Sequence, residues 1–159
     1  MKIIVFSDSH RELDGMRTVI AQEKPDYVFH LGDHDTDAEA LMREYDTLPI
    51  VTVRGNCDGW SDTPKTRVFN LGGKRFFLCH GHTLGVKEGY LRATYAALEQ
   101  KADVLLFGHT HIPCCACEET EPGQRLYLLN PGSCGGYRPT YGRILLEPGR
   151  EIEIDCFKI

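Results

Sequence analysis

Apolar runs that stop abruptly at carboxylate, amide or imidazole residues recur along this chain, and no other feature limits its folding as strongly. Residues 2–7 form an apolar run, opened by Lys2 and closed by Ser7, that leads into Asp8-Ser9-His10, and residues 26–31 lead into Gly32-Asp33-His34. Ile50 to Val53 ends at Gly55-Asn56-Cys57-Asp58, a run ending at Cys79 meets His80-Gly81-His82, and Asp103 to Phe107 meets Gly108-His109-Thr110-His111. Short, unbroken apolar runs suit strands covered on both faces. Between the first three, helical spacing intervenes. Leu13, Met16 and Ile20 form one stripe closed by Pro25; Ala38, Leu41, Met42 and Tyr45 form another, with Thr36 and Glu39 spaced as a capping box. The first third therefore predicts β-α-β-α-β, a parallel sheet with right-handed crossovers.

The middle departs from that pattern. Arg67 to Leu71, Gly72-Gly73 and Lys74 to Cys79 predict a hairpin with a two-glycine turn, so an antiparallel element joins the parallel one. Glu88 to Gln100 predicts a helix with Leu91, Tyr95 and Leu98 on one face, and short strands are expected at 112–118, 125–129, 141–146 and 151–158. The sum is an α/β sandwich: two mixed sheets packed face to face, with helices outside. At 159 residues, with no repeat, linker or low-complexity stretch, residues 1–159 are expected to form a single domain.

Composition excludes several roles. The net charge of −5 argues against an extended nucleic-acid surface. No apolar run approaches the roughly 20 residues of a membrane span. Asp8 comes too early for a signal peptide, so the expected compartment is the cytoplasm. The odd count of seven cysteines then predicts reduced thiols. Cys114-Cys115-Ala116-Cys117 lacks the second ligand pair of a structural zinc site; strand alternation places Cys115 and Cys117 on one face and Cys114 on the other.

In open α/β sheets the crevice beyond the carboxyl ends of the strands is where sites form, so Asp8, His10, Asp33, Asn56, His80, His109 and His111 can converge there. Each has an ordinary structural reading: Asp8-Ser9-His10 as a helix cap, Gly32-Asp33 and Gly55-Asn56 as turns. Alternate histidines at strand ends seldom serve packing, and all five clusters occupy strand termini. Carboxylate, carboxamide and imidazole suit Mn²⁺, Fe or Zn²⁺. Seven ligands exceed the needs of one ion, and two ions bridged by a carboxylate account for the number.

The series Asp8-x-His10, Gly32-Asp33, Gly55-Asn56, His80 and Gly108-His109-x-His111 resembles the calcineurin-like metallophosphoesterase superfamily. Its short length, with Gly55-Asn56-Cys57-Asp58 and Asn130-Pro131-Gly132-Ser133, is similar to the small single-domain branch, which holds phosphodiesterases and the retromer scaffold subunit. The resemblance implies a four-layer αββα sandwich. It implies one metal on Asp8, His10 and His111, another on Asn56, His80 and His109, and Asp33 as the bridge. It further implies a metal-dependent phosphoric ester hydrolase, a phosphodiesterase rather than a protein phosphatase, cleaving a small phosphate ester with metal-activated water and no covalent intermediate.

The expected cofactors are two divalent ions, Mn²⁺ first, with Fe, Zn²⁺ or Ni²⁺ compatible. Family phosphatases carry His where this chain has Cys57, beside an acid at Asp58, which leaves the leaving-group acid open; His34 is a second candidate. His82 is expected to support the metal shell or face substrate; Arg11 and Arg54 flank the site in sequence and can reach a phosphate oxygen, with solvated surface cations as the commoner reading. The alternative is a non-catalytic protein-interaction scaffold of the same fold. A homo-oligomer is compatible with either.

Overall fold

The computed structural model describes residues 1–159. The chain runs β1 (Lys2–Phe6), α1 (Leu13–Glu23), β2 (Tyr27–His30), α2 (Asp35–Glu44), β3 (Ile50–Thr52), β4 (Thr66–Leu71) and β5 (Lys74–Cys79). A 3₁₀ turn at His82–Leu84 follows, then α3 (Leu91–Glu99), β6 (Val104–Leu106), β7 (Cys114–Glu121), β8 (Gln124–Asn130), β9 (Thr140–Leu145) and β10 (Glu153–Lys158). The first sheet has the order β10-β9-β1-β2-β3 and the second β4-β5-β6-β8-β7. Both are mixed, with β1, β2 and β3 parallel in one and β5, β6 and β8 parallel in the other.

Side-chain alternation divides the apolar residues among three cores, which makes the layers. Ile3, Val5, Phe29, Phe76, Leu78, Leu106 and Leu129 meet between the sheets. Ile4, Phe6 and Val28 point the other way, onto Met16 and Ile20 of α1 and Leu41 of α2. Phe77, Leu105 and Leu128 pack beneath Ala93 and Ala97 of α3. The result is the expected αββα sandwich. Gly72 and Gly73 both take positive φ, 60° and 76°, the geometry a two-residue hairpin demands. No helix is long and apolar enough to cross a membrane.

Two local expectations are corrected. In α3 the stripe Leu91-Tyr95 faces solvent, with Leu98 only partly buried, and Ala93, Thr94 and Ala97 are buried instead. Small side chains let a short helix lie close to its sheet, and that approach outweighed the area offered by the larger ones. The capping box at Thr36 and Glu39 does not form either. Helix α2 starts at Asp35 behind His34, whose side chain makes no capping bond, and its first amides find a partner elsewhere in the chain.

Candidate metal centre

All seven expected ligands come to one end of the sandwich, beyond the carboxyl ends of β1, β2, β3, β5 and β6. Asp8, His10 and His111 form one cluster and Asp33, His80 and His109 a second, with the donor atoms of each within 4.8 Å of one another. Asn56 joins the second, its Oδ1 3.1 Å from His80 Nε2, which also lies 3.4 Å from Asp33 Oδ1 and 3.2 Å from His109 Nδ1. His80 Nδ1 sits 2.8 Å from the Leu31 carbonyl, which can only accept, so Nδ1 carries a proton and Nε2 is the nitrogen that faces the cluster.

The arrangement is crowded with acceptors. Asp8 Oδ2 accepts from the Ser7 hydroxyl and the His109 amide, whereas Oδ1, fully buried, makes no hydrogen bond although His111 Nε2 is only 3.1 Å away. A buried carboxylate oxygen without a partner costs several kcal/mol unless a cation meets it. The donor set therefore fits bound cations, and hard oxygen with imidazole nitrogen suits divalent first-row metals.

Backbone conformation concentrates here as well. Five of the seven expected ligands, Asp8, His10, Asp33, His109 and His111, have φ between 49° and 67°. Strain of this kind persists only where surrounding contacts over-determine it, and it gathers at functional sites. Close approach of neighbouring loops does so here. A Cβ at Gly108 would overlap the Ser7 hydroxyl, and one at Gly55 would overlap the Asp33 carboxylate.

The electrostatics follow from burial and neighbours. Burial works against the Asp33 carboxylate, but hydrogen bonds from His80 and the Cys57 amide hold it well below the usual carboxylate range. His80 is raised, because Asp33 and Asp8 outweigh its own burial. Burial and the charge of His80 lower His82 and His109. Burial and then Asp33 push the Cys57 thiol up to about 11, so it is protonated at neutral pH.

The structure separates the remaining expected site residues by job. Asp58 is buried, and its two oxygens accept from the amides of Asp33, His34, Asp35 and Gly55, at 3.0, 2.6, 2.9 and 2.6 Å. It ties the Asp33 loop and the start of α2 to the turn that carries Asn56, so Asp58 lies beneath the site. Arg54 is tied to the segment that follows the Asn56 turn: its Nη1 donates to the Ser61 carbonyl.

His82 stands beside the second cluster, its ring 5.4 Å from His80, with a buried Nδ1 that has no partner. His34, its ring 5.4 Å from His10, borders an open groove of about 470 Å³ together with Arg11, Cys57 and the fully exposed Trp60. A larger hollow of about 1110 Å³ opens near Asp103, Arg125 and Glu151 at the opposite strand ends, and it contains none of the expected residues.

Sequence reasoning missed a polar relay under Asp8-Ser9-His10. His30 is fully buried within β2, its Nε2 3.1 Å from Ser9 Oγ, and Ser9 Oγ donates to Asp37 Oδ2 at 2.6 Å. Asp37 also accepts from the Arg11 amide. Asn130 does similar work on the other side, donating to the Gly108 carbonyl and Thr110 Oγ1, while Ser133 Oγ donates to the Asp8 carbonyl. Only the Asn130-Pro131-Gly132-Ser133 turn gave any hint of this.

Burial lowers His30. The unfolded chain therefore binds the proton more readily, and the contribution of His30, present above about pH 6.5, is lost as pH falls toward its folded value. Thermal unfolding between pH 7.5 and 5 should show a steeper loss of Tm for the parent than for His30→Asn, which keeps an acceptor for the Gly32 amide but does not titrate.

Residues 1–147 match the profile of the calcineurin-like phosphoesterase superfamily domain. The chain is 32% identical over 135 residues to the Probable metallophosphoesterase YsnB of Bacillus subtilis, covering 84% of this chain and 75% of that protein. It is 30% identical over 172 residues to the Phosphodiesterase YfcE of Escherichia coli K12, covering 91% and 87%. Among solved structures, a conserved predicted phosphoesterase from Streptococcus pneumoniae superposes with a TM-score of 0.81 at 29% identity, over 99% of this chain and 88% of that one. Vacuolar Protein Sorting 29 of Cryptosporidium parvum superposes with a TM-score of 0.74 at 19% identity, over 99% and 98%, a likeness of fold.

Proposed function

The chain belongs to the calcineurin-like phosphoesterase superfamily, and from that premise we propose that it is a phosphodiesterase using two divalent cations to cleave a small phosphate ester. One observation carries the reading: the buried, unpartnered Asp8 Oδ1, set among two convergent clusters of carboxylate and imidazole. Asp8, His10 and His111 would hold one cation, Asn56, His80 and His109 the other, and Asp33 would serve both. When bound, such cations lower the pKa of water and neutralise phosphoryl charge. Mn²⁺ is the first choice, with Fe, Zn²⁺ or Ni²⁺ suited to the same donors.

The chain's own groups supply the rest. Asp33, held ionised by its hydrogen bonds, keeps a negative charge between the clusters. Arg11 borders the groove as the guanidinium available to a phosphoryl oxygen, and Trp60 offers an open aromatic face to the ester's organic part. His34, which borders the same groove, serves the leaving oxygen, a task for which Cys57, its thiol pushed up to about 11, is poorly matched at neutral pH. His82 positions the second cluster.

Metal content of the purified protein, together with hydrolysis of bis-p-nitrophenyl and p-nitrophenyl phosphate after chelation and Mn²⁺ add-back, tests the proposal. About two ions per chain and metal-dependent cleavage favouring the diester are expected. Protein that binds metal poorly and turns over neither ester would instead favour the scaffold reading, for which the likeness to Vacuolar Protein Sorting 29, at 19% identity, offers fold alone. The His34 assignment is tested separately. His34→Ala should slow alkyl diesters by about 10²-fold while barely affecting p-nitrophenyl esters, whose leaving group needs no proton; equal rates on both substrates would remove it.

A further inference from the structure

The two edge strands β7 and β10 belong to different sheets, yet they bring two thiols together. Cys115 Sγ and Cys156 Sγ are 3.2 Å apart, although 41 residues separate them in sequence. The register explains the encounter. Cys115 is paired with Leu129 and Cys156 with Gly142, and Leu129 belongs to the core between the sheets. Cys156 shares its face with Ile154, which packs against that core. Both thiols therefore point into the gap between the two sheets at its open edge.

Sheets normally stack about 10 Å apart, too far for two cysteine side chains to touch. Gly142 permits the closer approach. A Cβ there would come within 2.7 Å of Leu129, so only glycine lets the leucine fill the gap and the edges close over it. Cys114 and Cys117 lack this partner; Cys117 shares the face of Cys115 and lies two residues farther along β7.

We propose that Cys115 and Cys156 are a disulfide-forming pair, a redox-controlled staple joining the edge of one sheet to the edge of the other. Cys115 is exposed and Cys156 half-buried, which fixes the order of events. The Cys115 thiolate, favoured by the hydrogen bond from Cys156, attacks one sulfur of a disulfide oxidant such as oxidised glutathione, and the first glutathione thiolate leaves. Cys156 then gives up its proton and attacks the Cys115 sulfur, releasing the second. The protein loses two electrons and two protons, and the oxidant leaves as two glutathione thiols.

The staple would sit beside the supports of the metal centre. Cys156 Sγ lies 3.3 Å from the Asn130 carbonyl oxygen, and the Asn130 side chain holds the Gly108 carbonyl that precedes His109. The inference stands on strand geometry, so it survives or fails independently of the phosphodiesterase reading.

The test is incubation of the whole protein with oxidised glutathione, followed by peptide mapping under non-reducing conditions and a thermal melt. An intramolecular Cys115–Cys156 link is expected, reversed by dithiothreitol, absent in Cys115→Ser and Cys156→Ser, and retained in Cys114→Ser and Cys117→Ser. Closing a loop of this length should raise Tm by roughly 10 °C. A link through Cys114 or Cys117, a disulfide between chains, no link at all, or a link that leaves Tm unchanged would each overturn the proposal. Because the retained-link variants alter only neighbouring thiols, they separate loss of the pair from loss of the fold.

Discussion

Asp33→Asn should lower metal-dependent diester hydrolysis by about 10³-fold, well beyond the roughly 10- to 100-fold that follows loss of a residue that merely orients a ligand. Bound metal should fall with it. The substitution keeps the shape and removes the charge, and Asp33 is the carboxylate on which three influences converge. Its Oδ1 accepts from the Cys57 amide and faces His80, its backbone amide is held by Asp58, and its φ of 57° is imposed by the loop. Because those backbone contacts survive in the asparagine, the melting temperature of metal-free protein should change little. Metal titration by calorimetry alongside the melt makes the distinction. Full metal binding with lost activity would place Asp33 outside the metal set, and retained activity would remove it from the mechanism.

Asp58→Ala is expected to have the largest effect on stability. Four backbone amides lose a buried, charged acceptor at once, and amides left without partners cost about 1–3 kcal/mol each before relaxation. Allowing for relaxation of the turn, the loss should be about 4 kcal/mol, a fall in Tm of roughly 10 °C. Activity should fall as well, since the same amides place Asp33 and His34 against the Asn56 turn. Asp58→Asn, with one acceptor oxygen where the parent has two, should lie between. Denaturant unfolding with paired kinetics checks this. An Asp58→Ala protein as stable as the parent but inactive would mean that the carboxylate acts directly on substrate.

The two cases show where reading along the chain succeeds and where it stops. Asp33 was visible as part of a set because each apolar run ended in a residue capable of ligation, and the same logic found Asp8, His10, Asn56, His80, His109 and His111. Asp58 was equally visible as a residue, yet its work was not. A carboxylate beside Asn56 and Cys57 reads as an acid, whereas its partners lie 23 to 25 residues upstream and 3 residues away, and they are backbone amides that no residue type advertises. His30 was hidden for a related reason: inside an apolar run it read as strand, and its tie to Ser9 and Asp37 exists only once β1 and β2 lie side by side.

Local order was written in the chain because it depends on neighbours. Unbroken apolar runs and period-3.6 patterns placed most strands and helices, the Gly72-Gly73 turn announced the hairpin, and parallel pairing carries the carboxyl ends of β1, β2, β3, β5 and β6 to the side that holds the candidate ligands. Contacts between distant segments were not written there. The solvent-facing Leu91 and Tyr95, the four amides on Asp58 and the meeting of Cys115 with Cys156 depend on how closely layers approach. That distance is set by side chains packing across the stack, through glycine at 142 and alanines at 93 and 97, and no window along a single segment contains both sides of such a contact.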